Sequence, residues 1–419
     1  MALETLQQTW IQAKTSKEKH LAAEMILPEG FRAAGLACGI KENKSTFDLS
    51  LFVSDAPCSG AGVFTKNQVC GAPVKISRER VPADSIRAVI INSGNANACT
   101  GDRGVEDARW MTQQVASGLD IDADQVLVCS TGIIGHFLPR SPIAEGIPAV
   151  IRQLNSGSEA FLNAARGMMT TDTVPKQATR TLLIGGKTLR VSGVAKGAAM
   201  IAPNMATMLS VIMTDASLDK SQVDQMLRHA VNRSFNCVSV EGHTSTSDTV
   251  ILLANGAAGS ATLSEQSLSE LQAVIDEVAV ELGQAIIRDA EGADHFVTIE
   301  VAGAQQRVEA FEIAQTIAND ALVKTAIAGS DPNWGRIVSA IGRTSIKLTE
   351  QDMVLHINGT LIYENGHPAE FDEQAVSEGI RQNRDVSIQV QLPFGEASVV
   401  FWTSDLTQEY VRLNSEYTT

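Results

Sequence analysis

Hydrophobic and polar residues alternate from Thr46 to Val53, while Arg87 to Ile91 and Gln125 to Val128 are short apolar runs ending in the turn formers NSGN and STG. Such runs predict strands whose C-terminal ends open into loops. Glu106 to Leu119, Pro142 to Leu154 and Ser158 to Met168 carry apolar residues at helical spacing, so strands and helices alternate early in the chain. The stretch TLLIGGKTLRVSG predicts a hairpin turning at Gly185 and Gly186, and it leads directly into VAKGAAMIAPNMATMLSVIM. A helix over Asp219 to Asn232, a strand at Thr249 to Leu253 and a long helix over Glu265 to Arg288 follow. Beyond Gly292 the pattern predicts strands at Phe296 to Val301, Met353 to Ile357, Val386 to Leu392 and Ala397 to Trp402, with helices near Ala310 to Asn319 and Phe371 to Arg381.

This order predicts an α/β protein. Its 419 residues exceed what one core normally serves, and the change of texture places a domain boundary near residue 290, giving parts 1–290 and 291–419. No Pro/Ser-rich linker marks the boundary, so the two parts are expected to pack closely. Leu3, Leu6, Trp10 and Ile11 among Gln, Lys and Glu suggest an amphipathic N-terminal helix, read as a docking extension.

Composition narrows the functional classes. A formal charge of −15, from 48 acidic against 33 basic residues with no dense basic run, repels phosphate backbones and anionic lipid, so neither nucleic acid nor a membrane is expected as partner. No apolar run approaches the roughly 18 residues of a membrane span, and the first 25 residues lack a secretory apolar core. Six cysteines, Cys38, Cys58, Cys70, Cys99, Cys129 and Cys237, form no CxxC pair and read as reduced, buried thiols of a cytoplasmic protein.

Several common chemistries lack their residues. The seven histidines are dispersed, with no HExxH, so no metal is expected. GAGVFT at Gly60 lacks a third glycine, and neither GxxxxGK[ST] nor GxSxG occurs; no cofactor is expected. His243, beside Thr244 and Ser245, reads as a polar loop residue because nothing orients it as a base.

KGAAMIAPNMATMLSVIM supports two readings of Thr207. It can be an ordinary threonine opening a buried strand. It can also attack the Ala206 carbonyl, convert that amide into an ester that water cleaves, and become the first residue of a new chain. An N-terminal threonine carries nucleophile and base together, because its α-amine, titrating at about 7.7 to 8.0, can take the hydroxyl proton.

Ala195 to Leu209, AKGAAMIAPNMATML, closely resembles the self-processing site of the ornithine acetyltransferase (glutamate N-acetyltransferase) family, whose pattern is KGxGMIxPxMATML with cleavage before the threonine. GFRAAGLACGIK at Gly30, NSGNANACTG at Asn92, CSTGIIG at Cys129, MMTTDTVPK at Met168, TSTSDT at Thr244, RDAEGA at Arg288, DPNWGRI at Asp331 and the terminal YVRLNSEYTT resemble family segments in family order, from about Gly30 to Thr419.

The resemblance implies stacked β-sheets flanked by helices, of N-terminal-nucleophile type, and processed chains 1–206 and 207–419 assembled as two copies of each. It makes Thr207 the acetyl carrier and Thr131 and Gly132 the oxyanion hole, and matches Thr170, Lys196, Glu291, Asn414 and Thr419 to substrate-contacting positions. The reaction it implies is ping-pong. Thr207 takes acetyl from N2-acetylornithine, releases ornithine and passes acetyl to glutamate in the cyclic route of arginine biosynthesis. Whether acetyl-CoA also donates is not legible, since no CoA signature is present. Because one pocket must admit a cationic and an anionic side chain, Lys196 and Glu291 are expected to offer both signs.

Two departures from the pattern stand out. Ala199 replaces a glycine, which would cost about 1 kcal/mol if that position needs a positive φ. Glu241 and His243 occupy a stretch that is DGDTST in relatives. The competing readings are an N-terminal-nucleophile aminopeptidase or amidase, which differs only in passing the acyl group to water, and a non-enzymatic acidic binding protein. The resemblance implies that the C-terminal tail folds into the site, and a disordered C-terminus would count against the transferase.

Overall fold

A computed structural model describes residues 25–201, 208–259 and 263–416. In chain order these form β1 (Phe31–Leu36), β2 (Leu49–Phe64), α1 (Ala72–Arg80), β3 (Ala83–Asn95), α2 (Gly101–Leu119), β4 (Val126–Ile133), α3 (Arg140–Arg152), α4 (Ser158–Met168), β5 (Lys176–Ile184), β6 (Lys187–Lys196), β7 (Leu209–Thr214), α5 (Lys220–Arg233), β8 (Val238–Ser239), β9 (Thr249–Ala254) and α6 (Glu265–Arg288). The remainder is β10 (Phe296–Ala304), α7 (Arg307–Ala318), α8 (Ala321–Ala328), α9 (Trp334–Ile341), β11 (Val354–Ile357), β12 (Thr360–Glu364), β13 (His367–Pro368), α10 (Glu373–Gln382), β14 (Asp385–Gln391), β15 (Ala397–Ser404) and α11 (Gln408–Glu416).

The helices over 158–168 and 265–288 begin and end where their periodicity predicts. The hairpin turns at Gly185 and Gly186, both with positive φ that a two-residue β-turn favours glycine to adopt. The strand expected from Thr46 starts at Leu49, since Thr46 N–H closes a turn onto the Asn43 carbonyl, and it runs on to Phe64 through an irregularity between Val53 and Cys58. Helices α1, α8 and α9 were not anticipated, because eight or nine residues show too little periodicity. The N-terminal amphipathic helix falls outside the described residues.

The first sheet has eight strands in the order β4-β3-β2-β9-β7-β6-β5, with β1 also on β2. The irregularity lets β2 serve two neighbourhoods: its first half pairs with β1 and β3, its second with β9 while still meeting β3 at Cys58 and Gly60. Were the sheet flat, β4 and β6 would stand five strand spacings, about 24 Å, apart. Instead Lys196 at the end of β6 reaches Thr131 at the end of β4, with Nζ 3.3 Å from Oγ1. The sheet therefore doubles over, its two halves facing each other across a core that includes Phe31, Phe52, Ile91 and Leu127 from one half and Val194, Leu209, Val211 and Ile251 from the other.

Alternate residues of the strands point outward. Ala88 and Ile90 of β3 face the helices α1 to α3, while Val250 and Leu252 of β9 face α5 and α6. The expected stacked sheets flanked by helices are thus present, built from one folded sheet. The second, seven-stranded sheet runs β13-β12-β11-β14-β10-β15-β8. Its edge strand β8 comes from the first part of the chain and pairs with β15, and α6 continues the core of one sheet into that of the other. Cys58, Cys129 and Cys237 are buried as expected, but Cys38 and Cys70 are half-buried and Cys99 is exposed. Among the described residues no helix is long and apolar enough to cross a membrane.

Candidate active site

The doubled sheet brings the C-terminal ends of β4 and β6 to one place. In β4, Ser130 donates to Asn92 Oδ1 at 2.6 Å, Thr131 is buried, and Gly132 pairs with Gly94 of β3. Gly132 has φ +129, and a Cβ there would lie 2.4 Å from the Gly94 carbonyl carbon. Only glycine permits this close approach of two backbones.

Lys196 is 2 % exposed and bonds to Thr131. Burial pushes its ammonium down from the usual lysine range and the nearby Lys176 pushes the same way, while Asp172, Asp248 and Glu291 hold it up. Asp172 organises the floor of the site. Its Oδ1 accepts from Lys176 Nζ at 2.7 Å and Gly197 N–H at 2.6 Å, and its Oδ2 accepts from Thr170 N–H at 2.9 Å. Burial alone would raise its carboxyl, but Lys176, Lys196 and these bonds hold it at about 2. Lys176 also bonds to Asp289 at 2.6 Å. Lys41, bonded to the Phe47 and Met169 carbonyls at 2.7 and 2.8 Å, is lowered by burial to about 8 despite Asp48 and Asp172.

Glu291 enters from the turn after α6. Its N–H donates to the Ala198 carbonyl at 2.9 Å, tying that turn to the segment that follows Lys196, and its Oε2 accepts from Asn414 Nδ2 at 3.1 Å. The C-terminal tail, which sequence reading alone would leave frayed, is the helix α11 docked here. Beside Glu291 opens a cavity of about 720 Å³ lined by both signs of charge, Arg288 and Arg384 against Asp289, Glu291 and Glu409.

Ala206, Thr207 and Thr419 lie outside the described residues, but the residues flanking 202–207 are described. Ile201 N–H donates to Glu241 Oε1 at 2.5 Å, and its carbonyl accepts from Val240 N–H. Met208 N–H donates to Asp248 Oδ1 at 3.1 Å, and Leu209 stands opposite Lys196 on one side and Thr249 on the other. The positive φ feared at Ala199 occurs instead at Gly197 and Met200, so alanine is unstrained there. Glu241, a departure from the family pattern, has a structural use, whereas His243 is exposed in its loop, as read.

Thr131, Lys196, Thr170 and the Glu291–Asn414 pair thus converge through Asp172 and the 197–198 backbone. Sequence reasoning missed Asp172, Lys176, Asp289 and Asp248. Each lies in a motif that the family resemblance singled out, yet their burial, the property that makes them consequential, has no local signature.

The sequence model of the ArgJ family matches residues 32–419. The chain belongs to the ArgJ family. It is 42% identical over 408 residues to the arginine biosynthesis bifunctional protein ArgJ of Rhodopirellula baltica, covering 97% of this chain and 99% of that one. Identity to the ArgJ protein of Geobacter sulfurreducens is also 42%, over 93% of this chain and 99% of that relative. Among solved structures, the Mycobacterium tuberculosis ornithine acetyltransferase complexed with ornithine is 40% identical with a TM-score of 0.40, covering 44% of this chain and 96% of that one.

Proposed function

We propose that this ArgJ-family chain is an ornithine acetyltransferase of arginine biosynthesis, moving acetyl from N2-acetylornithine to glutamate through an ester on Thr207. The observation that carries the reading is the meeting of Thr131 and Lys196 at the ends of β4 and β6, beside the strand that Met208 leads into.

Self-cleavage comes first. Thr207 Oγ bonds to the Ala206 carbonyl carbon, the Ala206–Thr207 C–N bond breaks with a proton going to the freed nitrogen, and water then hydrolyses the ester. The chains are 1–206 and 207–419. In transfer, Thr207 Oγ attacks the acetyl carbonyl of N2-acetylornithine while the Thr207 α-amine accepts the Oγ proton. Thr131 and Gly132 donate to the oxyanion, each donor typically worth a few kcal/mol. The C–N bond to ornithine breaks and a proton goes to the departing amine. Glutamate's amine then attacks the ester, and Oγ regains its proton.

Lys196 offers a cation to glutamate and Glu291 an anion to ornithine; the cavity at Glu291, carrying both signs, is the approach route. Thr170, Asn414 and Thr419 complete the substrate contacts. Two copies of each fragment form the working assembly, in the cytoplasm, and the parts 1–290 and 291–419 are its domains. Acetyl-CoA as a second donor accords with the word bifunctional in the relatives' names and is tested by assaying acetyl-CoA with glutamate.

A denaturing gel and intact mass test the core of the reading. The wild-type chain separates into fragments of 206 and 213 residues, while Thr207→Ala stays one 44.6 kDa band and transfers no acetyl. An uncut wild type refutes the reading. Acetate released from N2-acetylornithine at a rate indifferent to glutamate assigns the chain to the hydrolases instead.

A further inference from the structure

Asp248 is fully buried at the start of β9, in the TSTSDT motif, and none of the transfer steps uses it. One oxygen, Oδ1, accepts the Met208 N–H at 3.1 Å. The other, Oδ2, is buried and makes no hydrogen bond of good geometry among the described residues, the nearest hydroxyls to the carboxyl being those of Ser245 and Thr65.

The backbone around it is fixed on every side. Thr65 N–H donates to the Asp248 carbonyl at 3.0 Å, Thr65 Oγ1 to the Ser245 carbonyl at 2.7 Å, and Thr249 N–H to the Met208 carbonyl at 3.1 Å. The carboxyl is therefore held rigidly against the residue that follows Thr207 in the chain, within the electrostatic reach of Lys196. The same loop grips the other flank, since Glu241 holds the Ile201 N–H.

We propose that Asp248 is a positioning residue: by holding the Met208 N–H, it anchors the chain next to Thr207 for attack, first on the Ala206 carbonyl and then on the acetyl donor. This rests on Thr207 being the nucleophile. Burial pushes the Asp248 carboxyl well above the usual carboxylate range; the Met208 N–H, the Ser245 and Thr65 hydroxyls and Lys196 oppose that rise without cancelling it. An amide keeps an oxygen that can accept the Met208 N–H, which alanine lacks.

The test compares Asp248→Asn with Asp248→Ala in the full chain, following the cleavage half-time by denaturing gel, kcat and KM for N2-acetylornithine per mole of cleaved chain, and thermal melting. Asparagine is expected to slow cleavage and kcat two- to fivefold. Alanine is expected to slow both at least twentyfold, with KM within twofold of wild type, because the nucleophile and not the substrate is displaced. The proposal is overturned if alanine matches wild type within twofold, or if KM moves and kcat does not. Should the alanine variant fail to fold, asparagine decides alone: a loss above twentyfold at unchanged melting overturns the proposal. An uncut wild type, or an active Thr207→Ala, refutes the nucleophile itself, whereas a cut wild type, an inactive Thr207→Ala and an unaffected Asp248→Ala refute only the role of Asp248.

Discussion

Gly132→Ala perturbs the site at its tightest backbone contact. The added methyl would sit 2.4 Å from the Gly94 carbonyl carbon, 2.6 Å from Asn95 N and 2.7 Å from Gly94 Cα, all backbone atoms of the paired strand. Reaching even the 3.4 Å of ordinary contact requires the ends of β3 and β4 to part by about 1 Å. Holding alanine at φ +129 adds about 1 kcal/mol, and overpacking adds about 1–3 kcal/mol, so the fold should lose about 2–4 kcal/mol. On the proposed mechanism, the same displacement carries the Gly132 N–H away from the developing oxyanion. Losing one such donor costs about a hundred- to a thousandfold in kcat. Gly94→Ala is the control, with φ +98 but its nearest clash at 2.9 Å against Lys41 Cγ, a side-chain and not a backbone atom, so its kcat should fall less. Urea denaturation gives the stability change, and acetyl transfer scored per mole of cleaved chain gives the rate. A Gly132→Ala enzyme that loses the stability but keeps kcat within threefold would show that this N–H is no oxyanion donor. One that loses neither would deny the close approach.

Glu291→Gln should slow ornithine formation from N2-acetylornithine more than glutamate capture by the acetyl-enzyme, read in separate half-reactions; equal losses would defeat the charge-sorting idea. Asp172→Asn leaves Lys176 and Lys196 short of a buried counter-charge and should cost about 3–5 kcal/mol at neutral pH by chemical denaturation. Because the Asp172 carboxyl is depressed to about 2 from 3.8, its contribution is present above pH 3.8 and lost as pH falls through about 2, so the variant should lack that acid limb. Glu241 behaves oppositely. Burial raises it to about 7, so stability falls as pH rises from about 4.5 to 7, by up to about 3 kcal/mol, and Glu241→Gln should flatten that slope in pH-dependent melts. Lys324 and Tyr410 face the same carboxylate; buried Lys324, lowered to about 7, acts mainly above that window.

The elements were legible where periodicity is long or turns are marked by glycine pairs, as in Ser158–Met168, Glu265–Arg288 and the 185–186 hairpin. The doubling of the first sheet was not, because it depends on a break within β2 beyond which the sequence reading, which stopped at Val53, predicted no strand. The site shows the same division. Thr131, Lys196 and Glu291 came from motif resemblance, whereas Asp172 and Asp248 became visible once burial showed that they are charged or titratable groups held away from water. An acidic residue in a polar motif looks the same whether it faces solvent or the interior.

The place of β7 between β6 and β9 matters for what a cut before it would leave behind. Newly made chain ends usually fray. Here β7, which opens two residues past such an end, is laced on one side to the upstream fragment and on the other to its own. A nick at that point would open a connection without unravelling a ladder, so the fragments should stay together through native purification and part only in denaturant. The cell would thereby obtain a free amino terminus two residues from a strand held on both sides, whereas a chain beginning at that residue from synthesis, without its upstream partner, would have that strand held on one side alone.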